Sequence, residues 1–197
     1  MSLTVDTRPV GAEAVDDLAR LFETQRTTRH CWCMAFCATR RQFTIGWLTG
    51  GNRKRFESLA STSPAPMGIL ASAAGVPVGW CACGPRARYL AAPHASSSVL
   101  EHRERAEDDS VWLVPCLFVR DGHRGQGVTH TLVGAAVELA REHGATAIEG
   151  WPLAASAGPS GDAFLGREQV FADLGFASVE QPRPGRVLMR LELSNHR

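Results

Sequence analysis

Residues 111–140 read VWLVPCLFVRDGHRGQGVTHTLVGAAVELA, and three signals follow one another there without a break. Val111 to Val119 is uninterrupted apolar sequence, the pattern of a central strand buried on both faces. A basic, glycine-rich turn comes next. Thr129 to His143 then reads as a helix that stops at Gly144, a C-terminal glycine cap. Gly125 and Gly127 permit positive φ and close backbone approach. The free N–H groups of the helix start then face outward together, with the helix dipole behind them. Such a junction is an anion site, and a phosphate is its natural occupant. Arg120, His123 and Arg124 add positive charge around it. The Gly-Lys-Ser/Thr ending of a P-loop and the three-glycine spacing of a dinucleotide fingerprint are both missing.

Pro115 lies inside the apolar run, where its lack of an N–H breaks a ladder. A central strand tolerates it only at a bulge or where the neighbouring strand has moved away. A gap there would leave the main chain of Leu117 to Val119 free to pair with a ligand.

Outward from this junction the chain alternates helices and strands. Leu3 to Arg8 is a first strand, and Gly11 to Gln25 carries Val15, Leu18, Leu21 and Phe22 at helical spacing. Asn52 to Ala60 reads as a second helix with Asn52 as its cap, closed by Pro64 and Pro66. Gly68 to Ala74 and Pro77 to Cys83 form a hairpin about Gly75. Leu90 to Ser110 is a long polar loop. Thr146 to Trp151 is a strand, Glu168 to Leu174 a short helix capped by Gly175, and Val187 to Leu193 a last strand. The sum is one mixed α/β domain over residues 1–197.

The balance of 21 Lys plus Arg against 20 Asp plus Glu demands neither a nucleic-acid nor an anionic-membrane partner. No apolar run approaches the roughly 20 residues of a membrane span. The first residues lack the basic start and apolar core of a secretory signal, so a cytoplasmic location with reduced thiols is expected.

Arg124-Gly125-Gln126-Gly127-Val128, following its strand, resembles the acetyl-CoA motif of the GNAT superfamily of N-acetyltransferases, Arg/Gln-x-x-Gly-x-Gly/Ala. Thr129 stands where that motif ends in Gly or Ala. FADLGF at 171–176 resembles the family's fourth helix. The resemblance implies a GNAT-like fold, a mixed central sheet with splayed central strands and flanking helices. It also implies acetyl-CoA as co-substrate; no metal is expected, given the cysteine spacing at 29–37. Leu117, Phe118 and Val119 would pair with pantetheine, and Arg124, Gly125, Gln126, Gly127, Val128 and Thr129 would wrap the pyrophosphate. Many members carry a tyrosine four residues before the glycine of that helix, where it protonates the leaving thiolate; here Phe171 occupies the place, and the only tyrosine is Tyr89.

An amine near pKa 10 is mostly protonated at neutral pH, so transfer to it calls for a base. Glu149 interrupts the apolar strand beside the inferred gap and is either that base or a structural carboxylate paired with an arginine. Cys116 is a second candidate catalytic residue beside the pantetheine-pairing stretch, against the plainer reading of a packed thiol. Asp108 and Asp109 precede the strand and would greet a cationic acceptor, unless they are plain surface.

The segment RHCWCMAFC at 29–37 has three cysteines in seven residues. One residue between Cys31 and Cys33 is poor spacing for zinc. By position in the resembled fold, Cys31, Trp32, Cys33 and Met34 would wall the acceptor pocket. The function expected is acetyl transfer from acetyl-CoA directly to a primary amine of a small molecule or peptide, by a monomer or a homodimer. The rivals are a non-catalytic acyl-CoA sensor and a cysteine-based metal or thiol sensor.

Overall fold

A computed structural model of the chain describes residues 4–90, 103–157 and 163–193. Its sheet has seven strands: β1 (Asp6–Pro9), β2 (Gly68–Ala73), β3 (Val76–Pro85), β4 (Val111–Val119), β5 (Ala147–Gly150), β6 (Ala177–Arg183) and β7 (Arg186–Glu192). They lie in the order β1-β2-β3-β4-β5-β7-β6, antiparallel throughout except for the parallel pair β4–β5. The helices are α1 (Val15–Phe22), α2 (Arg26–Cys31), α3 (Arg40–Thr49), α4 (Gly51–Thr62), α5 (Val128–Glu142) and α6 (Glu168–Asp173). This is the expected single mixed sheet with flanking helices.

Side chains on the two faces of the sheet build two cores. Ile69, Val78, Leu117, Val128, Leu132, Val133 and Phe171 pack between the sheet and α5 with α6. Leu18, Phe22, Trp32, Met34, Phe56, Trp80, Cys116 and Phe118 pack on the other face under α1 to α4. Their burial supplies the main folding force, at roughly 25 cal/mol per Å² of apolar surface.

The β4 strand is the pivot. On its β3 side, Ala82 faces Cys116 and Gly84 faces Leu113, so two residues of β4, Val114 and Pro115, oppose the single Cys83. This is a β-bulge, and Pro115 sits in it, where the ladder is already interrupted. On its β5 side, pairing runs only from Val111↔Ala147 to Val114↔Gly150. From Pro115 onward β4 has no partner strand on that side among the described residues. Both conditions read from the proline therefore hold together.

The helices stop as their glycines require. Gly144 (φ +71) and Gly175 (φ +86) are left-handed, and each helix closes with a six-to-one bond, Ala145 N–H to Ala140 O at 3.0 Å and Phe176 N–H to Phe171 O at 3.1 Å. The β2–β3 turn at Ala74 and Gly75 has positive φ at both residues, the hairpin conformation that matches strand twist.

Three expectations differ in detail. Helices α2 and α3 and the polar edge strand β6 were not read from the sequence. Asn52 does not cap α4: Gly50 (φ +74) does, and the buried Asn52 amide instead donates to His30 O at 2.8 Å and Phe43 O at 3.4 Å. Of the Leu90–Ser110 loop, residues 91–102 lie outside the described residues, and the rest contains a 3-10 turn at Arg105–Glu107.

Candidate active site

A cavity of about 610 Å³ opens where β4 and β5 part. Its lining includes Leu117, Phe118 and Val119 of β4, then His123, Arg124, Gly125, Gly127, Val128 and Thr129 of the turn and the start of α5. Gly122, Gly125 and Gly127 all have positive φ, from +72° to +85°, so the turn coils tightly before the helix. Arg124 is fixed by Nε–H to Val119 O at 3.1 Å and by Asp121 at 3.1 Å, and Arg120 N–H anchors the strand end to Val78 O at 2.9 Å. Helix α5 can lie this close to the sheet because Gly79 lacks a side chain; a Cβ there would meet Val128 Cγ1 at 2.8 Å. The first residues of α5, Val128 to His130, line the cavity, and their amides have no helical acceptor of their own. His123 Nδ1 is buried without a hydrogen-bond partner. The result is a donor-rich mouth beside an open strand edge.

Of the nine residues expected to hold the cofactor, Gln126 alone does not line the cavity; it is exposed, and its amide donates to Gly122 O at 2.8 Å. The opposite wall was missed in the sequence: Leu153, Phe164, Gly166 and Arg167 from the segment between β5 and α6, and Val170 of α6. Gly166 (φ +73) was a legible signal, since a Cβ there would meet Leu117 Cδ1 at 2.8 Å. Phe171 is fully buried against Gly150, where a Cβ would come within 2.3 Å of its ring.

Glu149 does not line the cavity. Its Oε2 accepts from Arg86 Nη1 at 2.9 Å and its Oε1 from Arg190 Nη1 at 3.0 Å. The arginine-paired alternative is the arrangement found. Arg86, only 1% exposed, also binds Asp108 at 2.8 Å and donates to Glu104 O at 2.7 Å, and Arg190 also binds Glu107 at 3.0 Å. Asp108 is thus an ion-pair partner and not a greeting for the acceptor. The hydrogen bond from Arg190 holds the Glu107 carboxyl below its ordinary value.

No cysteine lines the cavity. Cys116 is on the α1–α4 face, and contact with the Cys33 thiol and then burial push its own thiol well above the usual value. Trp32 (φ +48) and Cys33 (φ +53) form a left-handed turn after α2 that folds both inward, with Trp80 Nε1–H donating to Cys33 Sγ at 3.2 Å. Trp32, Cys33 and Met34 are buried among Phe22, Phe56 and Trp80, and none of them lines the cavity. Cys31 is half-buried, its thiol pushed by burial to about 12. From this segment Phe36 and Cys37 reach farther, to a separate apolar cluster with Tyr89 and Trp151. Among the described residues, no group of three or more His, Cys, Asp or Glu side chains is arranged to hold a metal ion. No described helix is long and apolar enough to cross a membrane.

A sheet that parts beside a glycine-rich turn and a helix start makes a cleft shaped for a long, phosphate-headed ligand along a strand edge. The sequence model of the acetyltransferase (GNAT) family matches residues 22–157, and the chain belongs to that family of acyltransferases. The fold is shared with solved structures of low identity. N-acetyltransferase PaiA of Thermoplasma acidophilum, in complex with coenzyme A, is 10% identical over 97% of this chain and 100% of its own, with a TM-score of 0.53. An acetyltransferase from Thermus thermophilus is 16% identical over 98% and 100%, with a TM-score of 0.55. The protein yncA of Salmonella typhimurium, solved with its cofactor acetyl-CoA, is 13% identical over 98% and 95%, with a TM-score of 0.53. No curated protein matches the chain.

Proposed function

We propose that this protein transfers the acetyl group of acetyl-CoA directly to a primary amine of a small molecule or peptide. The observation that carries the reading is the continuous cavity running from the α5 turn to the unpaired edge of β4. Pyrophosphate is received by the amides from Gly125 to Thr129, with Arg124, His123 and Arg167 around it. Pantetheine lies along Leu117 to Val119 as a missing strand would, and a main-chain N–H near Leu117 polarises the thioester carbonyl. The amine lone pair adds to that carbon, the C–S bond breaks, and coenzyme A leaves as a thiol. Among the described residues no carboxylate lines the cavity, so we assign the amine proton to water at the cavity mouth, which passes a proton on to the leaving thiolate. Cys116 is held neutral and contributes packing, not a nucleophile.

Thr129→Glu is the test. Glutamate in the first turn of α5 favours the helix, so folding is kept, while its charge meets the phosphates. Calorimetry should show acetyl-CoA affinity falling at least about tenfold, with Thr129→Gln close to wild type. Equal affinity in a folded Thr129→Glu protein would refute the site. Acetyl-CoA binding without turnover on any amine would favour the sensor reading.

A further inference from the structure

Tyr89, the only tyrosine, is 2% exposed, and its hydroxyl hydrogen meets no acceptor. Trp151 is 4% exposed, and its indole N–H has none either. A buried donor left without an acceptor is costly, so two in one place need a reason. They do share a place: one apolar cluster with Leu113 of β4 and Leu188 of β7, bordered by Phe36 and Leu165. Arg88 lies 6.0 Å from the Tyr89 ring centre and donates to the phenol oxygen, while its terminal nitrogens bind Pro66 O, Cys83 O, Ala65 O and Ser63 Oγ; an arginine only donates, so it leaves the phenol hydrogen free to donate. Burial holds the phenol well above its ordinary value, with Arg88 opposing, so Tyr89 stays a neutral donor. An indole N–H only donates. Two donors in an apolar surround are complementary to an oxygen acceptor carried on an apolar group.

The cluster's position fits the second substrate. Leu113 and Trp151 flank the last rung of the β4–β5 pair, Val114↔Gly150, beyond which the strands part. Leu165 lies between Phe164 and Gly166 of the cavity wall, and Trp151 is two residues from Leu153 of the same wall. The cluster therefore borders the cavity wall at the rung where the strands part. A cofactor entering from the α5 turn leaves this end to the acceptor, and half-buried Phe36 and Leu165 are the side chains an apolar group would displace.

Resting on the proposed acetyl transfer, we propose that Tyr89 and Trp151 form the acceptor-binding site. Their O–H and N–H hold the carbonyl or carboxylate oxygen next to the amine of an apolar α-amino acid, free or at a peptide N-terminus. Oxygen and amine must be near neighbours for one to sit here while the other reaches the thioester, which an α-amino carbonyl group provides.

The experiment compares L-phenylalaninamide, L-phenylalanine and phenethylamine, which has the same ring and amine but no oxygen. With wild type, kcat/KM for the better of the first two should exceed that for phenethylamine at least tenfold. Tyr89→Phe and Trp151→Phe should each erase most of that preference through KM, with acetyl-CoA affinity unchanged. Tyr89→Phe removes a hydroxyl whose hydrogen meets no acceptor and should not lower the melting temperature, which a structural role would require. Preference for the amide indicates a peptide terminus, and preference for the acid a free amino acid. Phenethylamine as good as both, or a preference that survives in Tyr89→Phe, overturns the assignment. If none of the three turns over, calorimetric titration of the amide and the acid into the coenzyme A complex decides, and absence of binding by both overturns it. Wild-type protein that fails to bind acetyl-CoA instead refutes the transfer reading itself.

Discussion

At Pro115 the backbone lacks one donor, and the fold places that lack in a bulge at the rung where β5 leaves. That proline was legible because a missing N–H has few permitted places in a sheet. Glu149 was not legible to the same degree: a buried carboxylate looks alike in sequence whether it serves chemistry or an arginine, and Arg86 and Arg190 are far from it along the chain. Glu149→Gln should cost about 3 kcal/mol, since it strips a charge partner from the buried Arg86. In a chain of this size that is a fall of roughly 6–12 °C in melting temperature. Acetyl-CoA affinity should hold, whereas a base role would spare the melting temperature and move the pH profile of kcat/KM. Glu107 belongs to the same network. Its carboxyl is held below the ordinary 4.5, so its stabilising contribution is present above that pH and is lost as pH falls through the depressed value. Glu107→Gln should flatten the acid side of the melting-temperature curve below about pH 4.5, measured by calorimetry from pH 6 to 3.

Among elements, those with an unambiguous period were readable: α1, α5 and β4 present continuous or regularly spaced apolar residues. The α2–α3 region hides its helices because its apolar residues are crowded into the Trp32–Cys33 turn, which places them by left-handed backbone and not by periodicity. Thr39 did offer a signal, since its hydroxyl accepts from Gln42 N–H while Gln42 reaches back to Thr39 N–H. The β6 strand is a polar edge with irregular register, so alternation is lost. The phosphate turn was legible residue by residue, but its facing wall was not, because only tertiary packing brings Phe164 to Arg167 across from β4. Gly79 joins element to function. Gly79→Val would press on Val128 and Leu132, lift the start of α5, and cost about 1–3 kcal/mol. Acetyl-CoA affinity should fall as well, although Gly79 is absent from the cavity lining; an unchanged dissociation constant would separate helix height from binding.

Across the whole molecule, β4 and β5 are fastened at one end only. Four rungs, reinforced by Arg86, Glu149 and Arg190, hold Val111–Val114 to Ala147–Gly150, and the other end gapes. A ligand in the gap touches both walls, Leu117 and Val119 on one, Leu153 and Arg167 on the other. Coenzyme A should therefore slow amide exchange in β5 and β7 as well as in the phosphate turn, since sub-global opening of the two walls is then coupled. Protection confined to residues 122–130 would show that the walls move independently.

The parted strand also leaves the chain with a sheet edge in its middle. Exposed edges recruit foreign strands, and most proteins cover them with charge, a bulge or a neighbouring element. In the proposed binding mode the cover would be coenzyme A, a metabolite standing guard against self-association. Protein stripped of coenzyme A should scatter light on mild heating at temperatures where the loaded protein stays clear, and a short extended peptide added in excess should compete for the same edge.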